Sequence, residues 1–201
     1  MMKAKIAVLV SGGGTNLQAL IDAQKNDIIK SGEISLVVSN KADAYALERA
    51  KNNGIDTSVI TKADCGMDQN AFEEAIIKKI EEYNIDIIVL AGFMSILTEK
   101  FTKKFDKRII NVHPSLIPSF CGKGFYGLRV HQAALEYGVK VTGATVHFVN
   151  EIPDGGEIIM QKAVEISPDD TPESLQKRVM ENAEWIILPL SVEKVCNQLI
   201  K

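Results

Sequence analysis

The 201-residue chain is 46% hydrophobic and 24% charged, with a formal net charge of -3, the balance of an ordinary globular protein with a sizeable core. That charge gives no electrostatic footprint for nucleic acid or an anionic membrane, and the longest apolar stretch, Ile85 to Met94, is broken by Asp86 and too short to span a bilayer. Three cysteines, Cys65, Cys121 and Cys196, lie far apart without a C-x-x-C, which indicates neither a disulfide framework nor a zinc site and points to a reducing cytoplasm.

The start, Met1 to Val10, has lysines before a short apolar run and reads as a first strand, Lys5 to Val10, rather than a signal peptide. Ser11-Gly12-Gly13-Gly14-Thr15-Asn16 is a tight loop opening an amphipathic helix, Leu17 to Ile29. Exposed amides and the positive helix end make such a turn a site for phosphate or carboxylate. The dinucleotide fingerprint fails, because Leu17 stands at its third glycine and the second strand, Ile34 to Ser39, ends without the acid that grips a ribose. A glycine turn without a ligand is the alternative.

A helix from Asp43 to Asn53 closes at Gly54, and Thr57 to Ile60 forms a third strand. Asp68 caps a helix running through Phe72, Ile76, Ile77 and Ile80. Ile85 to Ala91 has the continuous apolar character of a central parallel strand buried on both faces. The loop Gly92 to Leu97 follows, then a short helix from Thr98 to Phe105.

The next strand runs from Arg108 into Asn111-Val112-His113-Pro114-Ser115-Leu116-Ile117-Pro118. Side chains alternate along a strand, so Asn111 and His113 share a face at its end, and the two prolines stiffen the loop beyond. An amide and an imidazole converging at the carboxyl end of an α/β sheet read as an active site. Phe120, Cys121, Lys123, Phe125 and Tyr126 interleave with glycines over Ser119 to Gly127, which suits a mobile lid with Cys121 a bystander. A helix (Arg129 to Tyr137) and two strands (Lys140 to Val149, Glu157 to Ile166) come next, joined through a Pro-Asp-Gly turn at 150–156. Thr171-Pro172 opens a terminal helix that Pro189 should kink or split. Trp185 and His147 read as core residues, and so, in weaker form, does His131.

Five stretches together resemble the glycinamide ribonucleotide formyltransferases, folate-dependent enzymes of purine biosynthesis: Ser11 to Asn16, Ser39 to Asp43, Ala91 to Met94, Ile110 to Pro118, and Gly143 to Val149 leading to Asp154-Gly155-Gly156. The resemblance covers nearly the whole length. It implies a single-domain Rossmann-like α/β formyltransferase fold over 1–201, with a mostly parallel sheet and helices on both faces. Residues 1–110 form the phosphate-binding half and 111–201 the catalytic and folate-binding half, not folding separately. Related methionyl-tRNA formyltransferases and formyltetrahydrofolate deformylases share Asn-x-His-Pro, and the glycine loop and the length, with no extra domain expected, favour the glycinamide ribonucleotide enzymes.

The same resemblance makes Asn111, His113 and Asp154 catalytic, with Asp154 orienting His113 and raising its pKa. Gly14, Thr15 and Asn16 would hold the ribonucleotide phosphate, with Glu184 on the ribose. Met94, Ser95, Ile96 and Leu97, with Gln69 and Asn111, would contact the folate. Ser95 and Gln69 stand where arginines are common, Arg129 replaces a frequent histidine while His131 is retained, and Glu184-Trp185 replaces Glu-His. No metal or permanently bound cofactor is implied, since 10-formyltetrahydrofolate is a consumed co-substrate. The expected partners are that folate and glycinamide ribonucleotide, with the chain a cytoplasmic monomer or homodimer binding neither nucleic acid nor membrane. A deformylase and a non-catalytic phosphoribosyl-binding module are the alternatives.

Overall fold

A computed structural model describes residues 3–200. Met1, Met2 and Lys201, which belong to the expected start and to the expected 1–201 domain, lie outside the described residues. The chain alternates β1 (Ala4–Val10), α1 (Thr15–Lys25), β2 (Gly32–Ser39), α2 (Tyr45–Lys51), β3 (Asp56–Val59), α3 (Gln69–Glu82), β4 (Ile87–Leu90), α4 (Glu99–Lys104) and β5 (Ile109–His113). It continues with α5 (Leu128–Tyr137), β6 (Val141–Phe148), β7 (Ile158–Glu165), α6 (Pro172–Val179), a π-helical turn (Met180–Glu184) and α7 (Trp185–Leu199).

One seven-stranded sheet has the order β3-β2-β1-β4-β5-β6-β7. The first five strands are parallel, and β6 and β7 are antiparallel to their neighbours. Alternation along β1 sends Ile6, Val8 and Val10 to the face covered by α1 and α7, and Ala7 and Leu9 to the face covered by α3 and α4. Both faces are thus dry, which is why β1 and β4 are apolar almost throughout. The strand order reverses between β1 and β4, and the crevice outside the carboxyl ends there is where open α/β sheets take ligands.

Two expectations are corrected. Helix α1 stops at Lys25, not Ile29, because Asn26 caps it and Asp27 takes a left-handed φ of 55°. Pro189 lies inside α7, and the irregularity falls earlier, in the π-helical turn. That turn ends just before Trp185, whose carbonyl Pro189 leaves without an i+4 N–H. Thr171 and Ser174 form a reciprocal capping box at the start of α6, with Pro172 at its first position.

Candidate active site

Asn111 and His113 lie on the same face of β5, and the antiparallel register places His147 opposite Asn111 and Thr145 opposite His113. Four polar side chains therefore share one patch of an otherwise apolar sheet. The 150–156 segment folds back over it, and Gly156 makes this possible: a Cβ there would lie 1.7 Å from the Phe148 carbonyl oxygen. Asp154 then comes to 3.5 Å from His113 Nδ1 through Oδ2 and 3.6 Å from His147 Nε2 through Oδ1.

Hydrogen bonds assign the tautomers. His113 Nε2 is 2.9 Å from the Phe120 carbonyl, which can only accept, so Nε2 carries a proton and Nδ1 faces the carboxylate. His147 Nδ1 is 2.8 Å from the Phe148 carbonyl and carries its proton there, leaving Nε2 to accept from Asn111 Nδ2 at 3.2 Å. The Asn111 amide is thereby oriented. The core role expected for His147 is corrected: it is 1% exposed, yet it touches two of the three expected catalytic residues.

Burial sets His113 below its usual pKa of 6.5, with the Asp154 charge and the Phe120 carbonyl pulling the other way and His147 adding to the depression. The expected elevation by Asp154 exists but is outweighed, because the ring is 4% exposed and its charged form loses solvation. Burial also works to raise the Asp154 carboxyl. The two imidazoles and the Gly122 amide nonetheless hold it below the ordinary 3.8.

The 119–127 segment is clamped onto this cluster. Besides the Phe120 carbonyl on His113, the Gly122 N–H donates to Asp154 Oδ2 at 2.8 Å, and the Phe120 ring meets Phe125 and Tyr137 edge-on. The Cys121 thiol is pushed up by burial and by the Asp154 charge, so it is no thiolate nucleophile. His131, on α5, is fully buried with both ring nitrogens unpartnered, and burial with the nearby His113 brings its pKa to about 4.

Across the switch point, Gly14 takes a left-handed φ of 71° as the N-cap of α1, and a Cβ there would lie 2.6 Å from that of Ala46. This glycine is required by the packing of α2 beneath the loop. Asn16 Nδ2 donates to Glu184 Oε2 at 2.7 Å, and burial raises the Glu184 carboxyl to about 7 despite that bond. Thr15 is exposed, and its hydroxyl donates to the Met180 sulfur at 3.9 Å. Trp185 is half-buried with its indole N–H unpartnered, so its expected place as a plain core residue is corrected. The π-helical turn directs Glu184 inward and leaves its neighbour at the edge.

The loop after β4 is framed at both ends. At its start, the Met94 N–H donates to the buried Ser11 hydroxyl at 2.8 Å. At its end, buried Glu73 accepts from the Thr98 N–H at 2.8 Å and from the Thr98 hydroxyl. Gln69 is spent on this frame, donating to Glu73 Oε1 at 2.6 Å and to the Ile96 carbonyl at 3.2 Å. Ser95 accepts from Asn40 Nδ2 at 2.9 Å, and Leu97 turns into the core. Met94 and Ile96 are exposed, an apolar surface on the loop that follows β4, the neighbour of β5. Among the described residues no group of three or more His, Cys, Asp or Glu side chains could hold a metal ion, and no helix is long and apolar enough to cross a membrane.

A formyl transferase family model matches residues 4–191. The phosphoribosylglycinamide formyltransferase of Haemophilus influenzae is 44% identical over 94% of this chain and 85% of its own length. The trifunctional purine biosynthetic protein adenosine-3 of Gallus gallus is 45% identical over 99% of the chain, which spans 19% of that longer protein. A crystal structure of glycinamide ribonucleotide transformylase 1 from Symbiobacterium toebii superposes with a TM-score of 0.90 at 39% identity, covering 98% of this chain and 89% of its own. The chain belongs to the formyl transferase family, and within it to the phosphoribosylglycinamide formyltransferases.

Proposed function

We propose that the chain transfers the formyl group of 10-formyltetrahydrofolate to the amine of glycinamide ribonucleotide, giving N-formylglycinamide ribonucleotide and tetrahydrofolate. The observation that carries this reading is the cluster of Asn111, His113 and Asp154 at the edge that also bears the glycine loop. The enzyme names of its relatives support it.

The neutral amine attacks the formyl carbon, and negative charge grows on the formyl oxygen. The Phe120 carbonyl, itself a carbonyl oxygen 2.9 Å from His113 Nε2, supports a position for that oxygen. When the 119–127 segment withdraws, the formyl oxygen takes its place and receives the same N–H, with a second hydrogen bond from the Asn111 amide that His147 orients. As the tetrahedral intermediate collapses, the attacking nitrogen loses a proton and folate N10 gains one, with His113 placed to relay it. Asp154 favours the imidazolium during that relay.

In this reading Gly14, Thr15 and Asn16 hold the phosphate, Glu184 the ribose, and Met94 and Ile96 the folate ring. Ser95, Leu97 and Gln69 shape the folate loop, with backbone contacts theirs to make. The halves 1–110 and 111–201 are, in this reading, parts of one folding unit; the boundary falls within β5, and the pairing of Leu90 with Asn111 across it supports this. Each chain carries every proposed catalytic residue, so a monomer suffices and a homodimer is compatible. Three free cysteines suit a reducing cytoplasm.

The test is an absorbance assay for the folate product with and without glycinamide ribonucleotide. Product formed only with the ribonucleotide is expected. Equal rates without it would make the chain a deformylase, and no turnover would make it a binding module.

A further inference from the structure

We infer that Arg49 is a positioning residue for phosphate recognition: from beneath the glycine loop it aims backbone N–H groups at the ligand without touching it. The inference rests on the reading of Gly12 to Asn16 as the phosphate site. In a trans peptide the C=O and the following N–H point in opposite directions, so whatever holds the carbonyl aims the amide the other way. Two successive peptides of the loop are held in this manner, both from α2. The Ala46 N–H donates to the Gly12 carbonyl at 3.0 Å, and Arg49 Nε–H donates to the Gly13 carbonyl at 2.8 Å.

The amides of Gly13 and Gly14 are consequently turned away from α2, toward the open side of the loop. They meet no backbone acceptor among the described residues, nor do those of Thr15 and Asn16. Successive N–H groups at a helix N-terminus, pointing one way, form an anion cradle. No side-chain bond caps α1 in competition with it.

Arg49 is suited to this work by how it is fixed. Its guanidinium stacks on Tyr45 with 5.0 Å to the ring centroid, and Nη1 donates to Gln18 Oε1 at 3.1 Å. One planar fork thus joins the loop to α1 and α2 together. Lysine keeps the charge but has no donor at the Nε position and no plane to stack. The close seat of Gly14 on Ala46 keeps the geometry tight.

The experiment compares glycinamide ribonucleotide with its dephosphorylated riboside as formyl acceptors for the parent chain, Arg49→Ala and Arg49→Lys. The parent should prefer the ribonucleotide. Arg49→Ala should raise the ribonucleotide KM about tenfold or more, the scale of one charge-assisted hydrogen bond. Its kcat, its folate KM and its kcat/KM for the riboside should hold, and Arg49→Lys should fail to restore the loss. Equal losses on both acceptors would make Arg49 a residue of general stability, and recovery by lysine would make it a mere source of charge. Either overturns the positioning role. A parent that prefers the ribonucleotide while Arg49→Ala keeps the full preference removes the positioning alone, whereas a parent that uses both acceptors equally removes the phosphate reading itself.

Discussion

His113 Nδ1 lies 3.5 Å from Asp154 Oδ2, although the two residues come from opposite sides of β6 in the chain. The contact exists because the 150–156 segment doubles back over the sheet instead of continuing past it. It places a carboxylate against the unprotonated nitrogen of a ring whose other nitrogen faces the position proposed for the formyl oxygen.

Replacing Asn111 or His113 with Ala should lower kcat by about 10² to 10⁴, the range for a lost oxyanion donor or acid-base group. Steady-state rates at saturating folate and ribonucleotide provide the check. Parental kcat in both variants would remove the site assignment.

Asp154→Asn removes the charge while retaining a residue that tolerates the left-handed φ of 56° found there. Asp154 opposes the burial that depresses His113, so the variant's imidazole should titrate lower still. Activity that needs protonated His113 falls as pH rises through that pKa. The alkaline limb of kcat should therefore shift to lower pH, and a limb that stays in place leaves Asp154 an orienting role only.

Asn16→Ala should weaken ribonucleotide binding about tenfold, by the loss of a hydrogen bond to a charged or polar partner, and spare folate binding. Glu184, raised to about 7, loses its proton and with it its O–H donor near neutrality. The ribonucleotide KM of the parent should then vary with pH on either side of that value, and Glu184→Gln should flatten it. Calorimetry with each ligand separates the two subsites.

His131 links pH to stability. Its folded pKa of about 4 lies below the ordinary 6.5, so the unfolded chain binds a proton first as pH falls. Stability contributed by the neutral ring is present above 6.5 and is lost as pH falls toward about 4, by at most about 3 kcal/mol. Denaturant titrations should show a shallower acid limb for His131→Leu. Parallel limbs in the two proteins would show that the ring is hydrated in solution.

Strong chelators should leave turnover unchanged, since among the described residues no group of three or more His, Cys, Asp or Glu side chains could hold a metal ion. Loss of activity on dialysis against chelator, restored by zinc, would contradict this.

The parallel half of the fold was legible because strands dry on both faces read as unbroken apolar runs, and the Asn111–His113 face followed from a period of two. His147 was not legible by the same rule, since alternation with Thr145 and Val149 describes a core strand equally well. Its partner Asn111 is chosen by the antiparallel register of β5 and β6, which local pattern does not encode. Its signal was a histidine and a threonine of matching parity on a strand beside Asn-x-His. Asp154 came from resemblance, because a Pro-Asp-Gly turn gives no sign of folding back. Gln69 and Leu97 occupy readable positions, but which way their side chains turn depends on buried Glu73 and on packing against α4.

The anchoring of the Gly92–Leu97 loop at Ser11 and Glu73 separates what holds its shape from what it displays. Exposed Met94 and Ile96 can be exchanged without unseating the backbone. Under the proposed folate reading, an antifolate that drew its affinity from those two side chains would gain selectivity between organisms and invite resistance by single substitution. One that bonds the loop's backbone instead addresses atoms that mutation moves only by breaking the frame.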